Sequence, residues 1–288
     1  MSHTIDSFFH EETFTFTHLL ADSVSGAAAL IDPVLDFDQK SGRTGTAFID
    51  AILSKVAEKG LTLRYVLETH AHADHLTSAD YIRRQTGAAI VVGQPITTVQ
   101  ATFKKIFNEG DGFVADGHQF DRLLADDESL LLGATQIRAL ATPGHTPACM
   151  SLVVNHSDVF VGDTLFMPDV GSARCDFPGG DAGTLFDSVQ TLLALGDDVV
   201  LHLCHDYPPN GRAVVSSCTV AEQKAHNIHV RDGISRDDFI AMREARDATL
   251  DMPRLILPSL QVNIRAGAFP EPEENGVSYL KLPLNLLG

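Results

Sequence analysis

Three imidazoles and a carboxylate fall within six residues in the run Thr69-His70-Ala71-His72-Ala73-Asp74-His75. Neutral imidazole and carboxylate are ligands for zinc, iron and manganese. In an extended turn His70 and His72 point to the same side, and Asp74 and His75 stand where a helix is expected to begin. A histidine-rich solvated loop would show the same composition, so the run needs support from elsewhere in the chain. Three later segments supply it. Thr142-Pro143-Gly144-His145-Thr146 puts a histidine in a tight turn, Val161-Gly162-Asp163-Thr164 puts an aspartate after an apolar run, and Leu203-Cys204-His205-Asp206-Tyr207 adds another histidine after a second such run. Each segment alone is a weak signal. Together they place metal-ligand residue types at four successive strand ends, where loops converge on one edge of a sheet.

The elements that must position these residues follow from periodicity. Thr13 to Leu20 alternates with period two and is rich in Thr and Phe, which predicts a strand; Ala27 to Ile31, closed by Asp32-Pro33, predicts its neighbour. Thr46 to Lys59 has helical spacing of apolar residues and is followed by Gly60 at a C-terminal capping position. Leu61 to Leu67 predicts a strand running into the first histidines, Leu76 to Thr86 a helix stopped by Gly87, and Ala88 to Val92 a short strand. A helix is expected near Thr97 to Phe107, with strands near Gln136 to Leu140, Cys149 to Val154, Val159 to Val161 and Val199 to Leu203. Asp181 can cap a helix reaching about Leu195, and Ser235-Arg236-Asp237-Asp238 resembles a capping box before a helix to about Leu250. Several strands follow one another directly, so the pattern is a layered α/β arrangement rather than a strict βαβ repeat.

Composition bounds the functional classes. The chain has 288 residues, 44% of them hydrophobic, enough for a substantial core. No stretch approaches the roughly 18 apolar residues that span a bilayer, so no membrane partner is expected. A formal net charge of −17 disfavours nucleic acid, whose phosphates call for clustered Lys and Arg. Cys149, Cys175, Cys204 and Cys218 form no C-x-x-C pair. Met1 to Glu12 lacks the basic and apolar regions of a secretory signal, so a reduced, cytoplasmic setting is expected.

The ordered series His-x-His-x-Asp-His, Pro-Gly-His-Thr, Gly-Asp-Thr and His-Asp-Tyr resembles the metal-binding series of the metallo-β-lactamase superfamily, over roughly Thr13 to Tyr207. The resemblance implies an αββα sandwich with the active site at one edge. It suggests one domain over residues 1–288, with 208–288 a C-terminal helical and strand extension. Within the superfamily the chain looks most like the persulfide dioxygenases, a branch related to glyoxalase II. Tyr65 to His75, Asp169-Val170-Gly171-Ser172-Ala173-Arg174-Cys175-Asp176-Phe177, and Pro258 to Gly267, closed by Tyr279 to Asn285, carry that likeness. One departure is Cys175, where better-known members carry Thr.

The likeness implies one Fe(2+) per chain held by His70, His145 and Asp163, with His72, Asp74, His75 and His205 orienting those ligands or forming an alternative metal site. It implies glutathione persulfide, or a similar low-molecular-weight persulfide, and dioxygen as substrates, with sulfite and the thiol as products. Arg174 would pair with a substrate carboxylate, against the alternative of an ion pair with Asp169 or Asp176. All seven ligand positions of a two-metal hydrolase are also present, so a glyoxalase II-like thioester hydrolase with two Zn(2+) is the alternative. A non-catalytic binding protein on this fold is disfavoured, because binding a partner would not require every metal position. Homo-oligomerisation is left open by the sequence.

Overall fold

The computed structural model describes residues 3–286. In chain order its elements begin with β1 (His3–His10), β2 (Thr15–Asp22), β3 (Ala27–Ile31), β4 (Val34–Asp38), β5 (Arg43–Gly45), α1 (Ala47–Glu58), β6 (Thr62–Glu68), β7 (Leu76–Thr77), α2 (Ala79–Thr86), β8 (Ala89–Gly93) and α3 (Ile96–Ile106). There follow β9 (Arg122–Leu124), β10 (Ser129–Leu132), β11 (Thr135–Ala141), β12 (Met150–Val154), β13 (Asp158–Phe160), α4 (Ala182–Leu193), β14 (Val200–His202), β15 (Ser217–Thr219), α5 (Val220–His226), α6 (Arg236–Asp247) and α7 (Ile256–Asn263).

Two six-stranded sheets run β1-β2-β3-β6-β8-β9 and β10-β11-β12-β13-β14-β15. The first is antiparallel from β1 to β3 and parallel from β3 to β9. The second is antiparallel except for the parallel pair β13 and β14. Strand β3 shows how the layers are set. Its Ala27, Ala29 and Ile31 join a core shared with Ile137, Leu152 and Phe160 of the second sheet, while Ala28 and Leu30 face a second core with Ile49 and Ile52 of α1. Period-two side chains buried on both faces explain why the strand reads as an unbroken apolar run. On the far side of the second sheet, Val159 and Leu201 pack against Leu185 and Val189 of α4 and Phe239 of α6. The layers are therefore helix, sheet, sheet, helix, an α/β sandwich as expected. Each large aliphatic side chain so buried is worth about 1.5–3 kcal/mol relative to exposure.

Several elements differ from the sequence expectation. Leu76 and Thr77 are not helical: they pair with Val34 and Leu35, and the Thr77 amide donates to Asn263 Oδ1 at 2.9 Å. Strand β1 lay unrecognised in a polar segment. The α6 helix stops at Asp247 rather than near Leu250, and Ser235 caps it by accepting from the Asp238 amide. A full capping box stands instead at Thr219 and Glu222, before α5. Strand β15, from the segment after residue 208, forms the edge of the second sheet. Among the described residues no helix is long and apolar enough to cross a membrane, and all four cysteines are free and buried.

Candidate metal centre

The histidine run follows the end of β6 in the first sheet. His145, Asp163 and His205 follow β11, β13 and β14 of the second. Because β13 and β14 are parallel neighbours, Asp163 and His205 emerge at the same edge. Two glycines allow the close approach. A Cβ on Gly144, at φ +134°, would come 2.3 Å from the Leu185 backbone, and one on Gly162, at φ +52°, would come 2.8 Å from Thr69 Oγ1.

Hydrogen bonds fix which nitrogen of each imidazole is free. A carbonyl or carboxylate only accepts, so the ring nitrogen facing it carries the hydrogen and the other keeps its lone pair. His145 Nδ1 donates to the Arg174 carbonyl at 2.7 Å. His205 Nδ1 donates to the Phe14 carbonyl at 3.2 Å. His72 Nε2 donates to Asp32 Oδ1 at 3.0 Å. The Thr69 hydroxyl donates to Asp32 Oδ2 at 2.9 Å and accepts from His70 Nδ1 at 3.0 Å. His75 Nδ1 faces Asp74 Oδ2 at 3.3 Å. Left over are His70 Nε2, His72 Nδ1, His75 Nε2, His205 Nε2 and Asp163 Oδ1, all buried without a hydrogen-bond partner. Buried polar atoms are seldom left unpaired, and a converging set of imidazole lone pairs with a carboxylate is what a metal ion would satisfy.

Cys204 groups with Asp32 and His72 and again with Asp163 and His205, and two further groups contain no thiol. His70, His145 and Asp163 form one; His72, Asp74, His75 and His205 form the other; within each, one ligand atom per residue lies within 4.8 Å of the rest. Asp163 stands between them. Its Oδ2 is 3.9 Å from His70 Nε2 and 3.7 Å from His145 Nε2, and its Oδ1 is 3.3 Å from His205 Nε2. Burial and the neighbouring His72 lower the pKa of His70 well below the usual histidine value, and lower that of His75 to about 4. Burial would also favour neutral His72, but Asp32 and Glu68 outweigh it and raise its pKa well above that value. Burial opposes the charge on Asp74, yet His205 and His75 reverse this and hold its carboxyl well below the carboxylate range.

A cavity of about 640 Å³ opens over this edge, with Asp74, His145 and Asp163 in its wall beside Phe166, Phe177 and Tyr207. Arg174 also lines it, but its guanidinium is already engaged. Nε and Nη2 donate to the two Asp176 oxygens at 2.6 Å each, Nη1 donates to the Asp251 carbonyl at 2.7 Å, and the group lies 5.3 Å from the Phe177 ring centroid. Asp169 instead pairs with Arg212. The Cys175 thiol is buried and pushed up to about 12, and burial raises the pKa of Cys204 well above the usual thiol value, so burial favours the neutral thiol in both.

Sequence reasoning missed the groups that brace the loops. Asp32 holds Thr69 and His72, though its only signal was the Asp-Pro closing a strand. Asn263 Nδ2 donates to the carbonyls of His72 and His75 at 2.8 Å each, and lies inside the Pro258 to Gly267 segment that carried the family likeness.

Comparison with known proteins agrees with this geometry. A profile described as "Metallo-beta-lactamase superfamily" matches residues 12–205. The chain is 55% identical to a "Probable metallo-hydrolase" of Burkholderia pseudomallei over 99% of its own length and 100% of that protein. It is 46% identical to "Glyoxylase B2" of Dictyostelium discoideum, covering 98% of this chain and 97% of the relative. It is 33% identical to the human mitochondrial "Persulfide dioxygenase ETHE1", covering 90% of this chain and 87% of the relative. Among solved structures, that of ETHE1 from Myxococcus xanthus superposes with a TM-score of 0.73 at 31% identity, covering 92% of this chain and 100% of that one. Sandwich, converging ligand atoms and relatives agree: this chain belongs to the metallo-beta-lactamase superfamily.

Proposed function

We propose that the protein is a persulfide dioxygenase that uses one ferrous iron, with glutathione persulfide or a similar low-molecular-weight persulfide as substrate. The observation that carries this reading is the grouping of His70, His145 and Asp163 into a compact set of two imidazoles and one carboxylate beside the cavity. A set of this kind leaves open positions on ferrous iron, which supplies redox chemistry that zinc lacks. Likeness to the human and Myxococcus xanthus proteins named above supports the same branch.

The chain's own residues then have defined tasks. His145 is held in one tautomer by the Arg174 carbonyl, and His70 by Thr69. Phe166 and Phe177 contribute apolar surface to the cavity wall, with the Phe177 ring 5.1 Å from that of His145. Arg174 offers a planar cation to a substrate carboxylate, which would take the place of Asp176 on the guanidinium fork. Overall, a persulfide, dioxygen and water give the thiol and sulfite. The outer sulfur ends with both dioxygen atoms and one water oxygen, and its bond to the inner sulfur is broken.

A second reading is a thioester hydrolase with two zinc ions that activate a water. It is favoured by the completeness of the His72, Asp74, His75 and His205 group and by the hydrolase and glyoxylase names of two relatives. One experiment separates the readings. Protein reconstituted anaerobically with ferrous iron should consume dioxygen and release sulfite with glutathione persulfide, and zinc-loaded protein should not. Rapid hydrolysis of S-lactoylglutathione by the zinc form, without oxygen uptake by the iron form, would overturn the dioxygenase reading.

A further inference from the structure

We infer that Arg243 and Asp247, one turn apart on α6, are positioning residues for the metal-facing imidazole of His145. The inference rests on the metal reading of the site, and not on which reaction the metal supports.

The path is continuous. His145 Nδ1 donates to the carbonyl of Arg174. The next residue, Cys175, donates its amide to Asp247 Oδ2 at 2.8 Å. Asp247 Oδ1 accepts from Arg243 Nε at 2.9 Å and Nη2 at 2.5 Å, and Arg243 Nη1 reaches the Ser172 carbonyl at 3.2 Å. Arg243 and Asp247 are only 1% and 6% exposed, so the pair is deep and its partners are fixed. Just beyond the helix, the Asp251 carbonyl accepts from the Arg174 side chain. Segment 172–175 is thus tied to α6 and its end at three points.

The other side of the loop is equally confined. A Cβ on Gly180 would stand 2.2 Å from the Cys175 carbonyl oxygen and 3.0 Å from that of His145. The Asp181 amide donates to the Gly144 carbonyl at 2.9 Å. The Arg174 carbonyl therefore has little freedom once Cys175 is anchored. That carbonyl sets both the tautomer and the ring direction of His145, and hence where the Nε2 lone pair points. A buried carboxylate, itself paired with an arginine far from the metal group in sequence, governs a ligand it does not touch.

Cobalt(II) serves as the probe, since its visible spectrum reports ligand geometry and its affinity can be measured by chelator competition without turnover. Asp247→Ala is expected to raise the cobalt dissociation constant by about ten- to a hundredfold, the range for lost partners of metal-ligating histidines, and to change the shape of the visible bands. Asp247→Asn keeps one acceptor but turns its NH2 on either the Cys175 amide or the Arg243 fork, so it should restore the affinity only in part. Phe239→Leu, in the apolar core beneath the same helix, should lower thermal stability but leave affinity and spectrum unchanged. An Asp247→Ala protein with wild-type affinity and band shape would overturn the inference. So would a Phe239→Leu protein that loses affinity equally, since general loosening of α6 would then suffice. If Asp247→Ala does not fold, Arg243→Lys replaces it: lost fork geometry should raise the dissociation constant several-fold, and an unchanged constant again overturns the inference. If the wild-type protein takes up no cobalt, the metal reading itself fails first.

Discussion

His72 donates to the carboxylate of Asp32 at 3.0 Å across forty positions of sequence. The same carboxylate accepts the Thr69 amide at 2.8 Å and the Thr69 hydroxyl, which in turn holds His70. One acid therefore orders two successive histidines of the motif. Asp32→Ala is expected to weaken metal binding by about ten- to a hundredfold. Metal content after dialysis against a graded chelator series measures this, and a variant that holds metal like wild type would show that Asp32 only supports the fold.

The grouping of donor atoms predicts an unequal response to substitution. His70→Ala, His145→Ala and Asp163→Ala should each abolish iron binding, because each removes one of the three ligands proposed for a single iron. His72→Ala and His75→Ala should keep iron while losing part of the activity. Elemental analysis of anaerobically purified variants decides the matter: iron lost as completely from His72→Ala as from His70→Ala would count against a single-iron site.

Arg174 and Asp176 should respond in opposite directions. Arg174→Ala removes a charge-assisted contact worth roughly 1.5–3 kcal/mol, or about ten- to a hundredfold in apparent affinity, so the KM for glutathione persulfide should rise with iron content unchanged. Asp176→Asn weakens the internal competitor for the guanidinium and should lower that KM. Steady-state kinetics that move in neither variant would remove Arg174 from the substrate site.

Asp158 sets an acid limit on stability. Burial alone would raise its carboxyl pKa, but His202 and Ser157 reverse this, with His3 contributing, and hold it at about 2 against a usual 3.8. A folded pKa below the unfolded one contributes stability that is full above the ordinary carboxylate range and disappears as pH falls towards about 2. Asp158→Asn should therefore be less stable than wild type at pH 6, with the gap closing between about pH 4 and 2. Urea midpoints taken across that range test this, and a gap independent of pH would show that the carboxylate charge is not what matters.

How legible these features were depended on the range of the forces behind them. Ala27 to Ile31 and the approach to His70 were readable because strands buried on both faces must be apolar throughout. Gly60 and Gly87 marked helix ends because both adopt positive φ there. Ligand types were legible in order, since each follows the end of a strand. Strand β1 was not: most of its residues are only partly buried, so the alternation is faint. Leu76 fits a helical pattern, yet its pairing with Leu35 decides its conformation. Nothing beside Asp32, Asp247 or Asn263 in the sequence shows what each braces, because the backbone and side-chain groups concerned lie about 40, 72 and 190 residues away. The Asp176 alternative for Arg174 was visible at two residues' separation, and the structure shows that ion pair formed.

The split origin of the donor atoms has a mechanical side. His70, His72 and His75 follow a strand of one sheet, while His145, Asp163 and His205 follow strands of the other. Apolar packing among Leu20, Leu152 and Phe160 joins the two sheets at their centre, and at this edge the Phe16 amide donates to the Cys204 carbonyl at 2.7 Å and the Met150 amide to the Thr69 carbonyl at 3.0 Å, beside the donor atoms left without a hydrogen-bond partner. An ion seated there would act as a rivet through two plates. It adds stability by RT ln(1 + [M]/Kd), about 2.7 kcal/mol at a hundred times Kd. Stripped of it, the plates would part at that rim first, and amide hydrogen exchange would quicken at Phe16 and Met150 while the centre stayed shut.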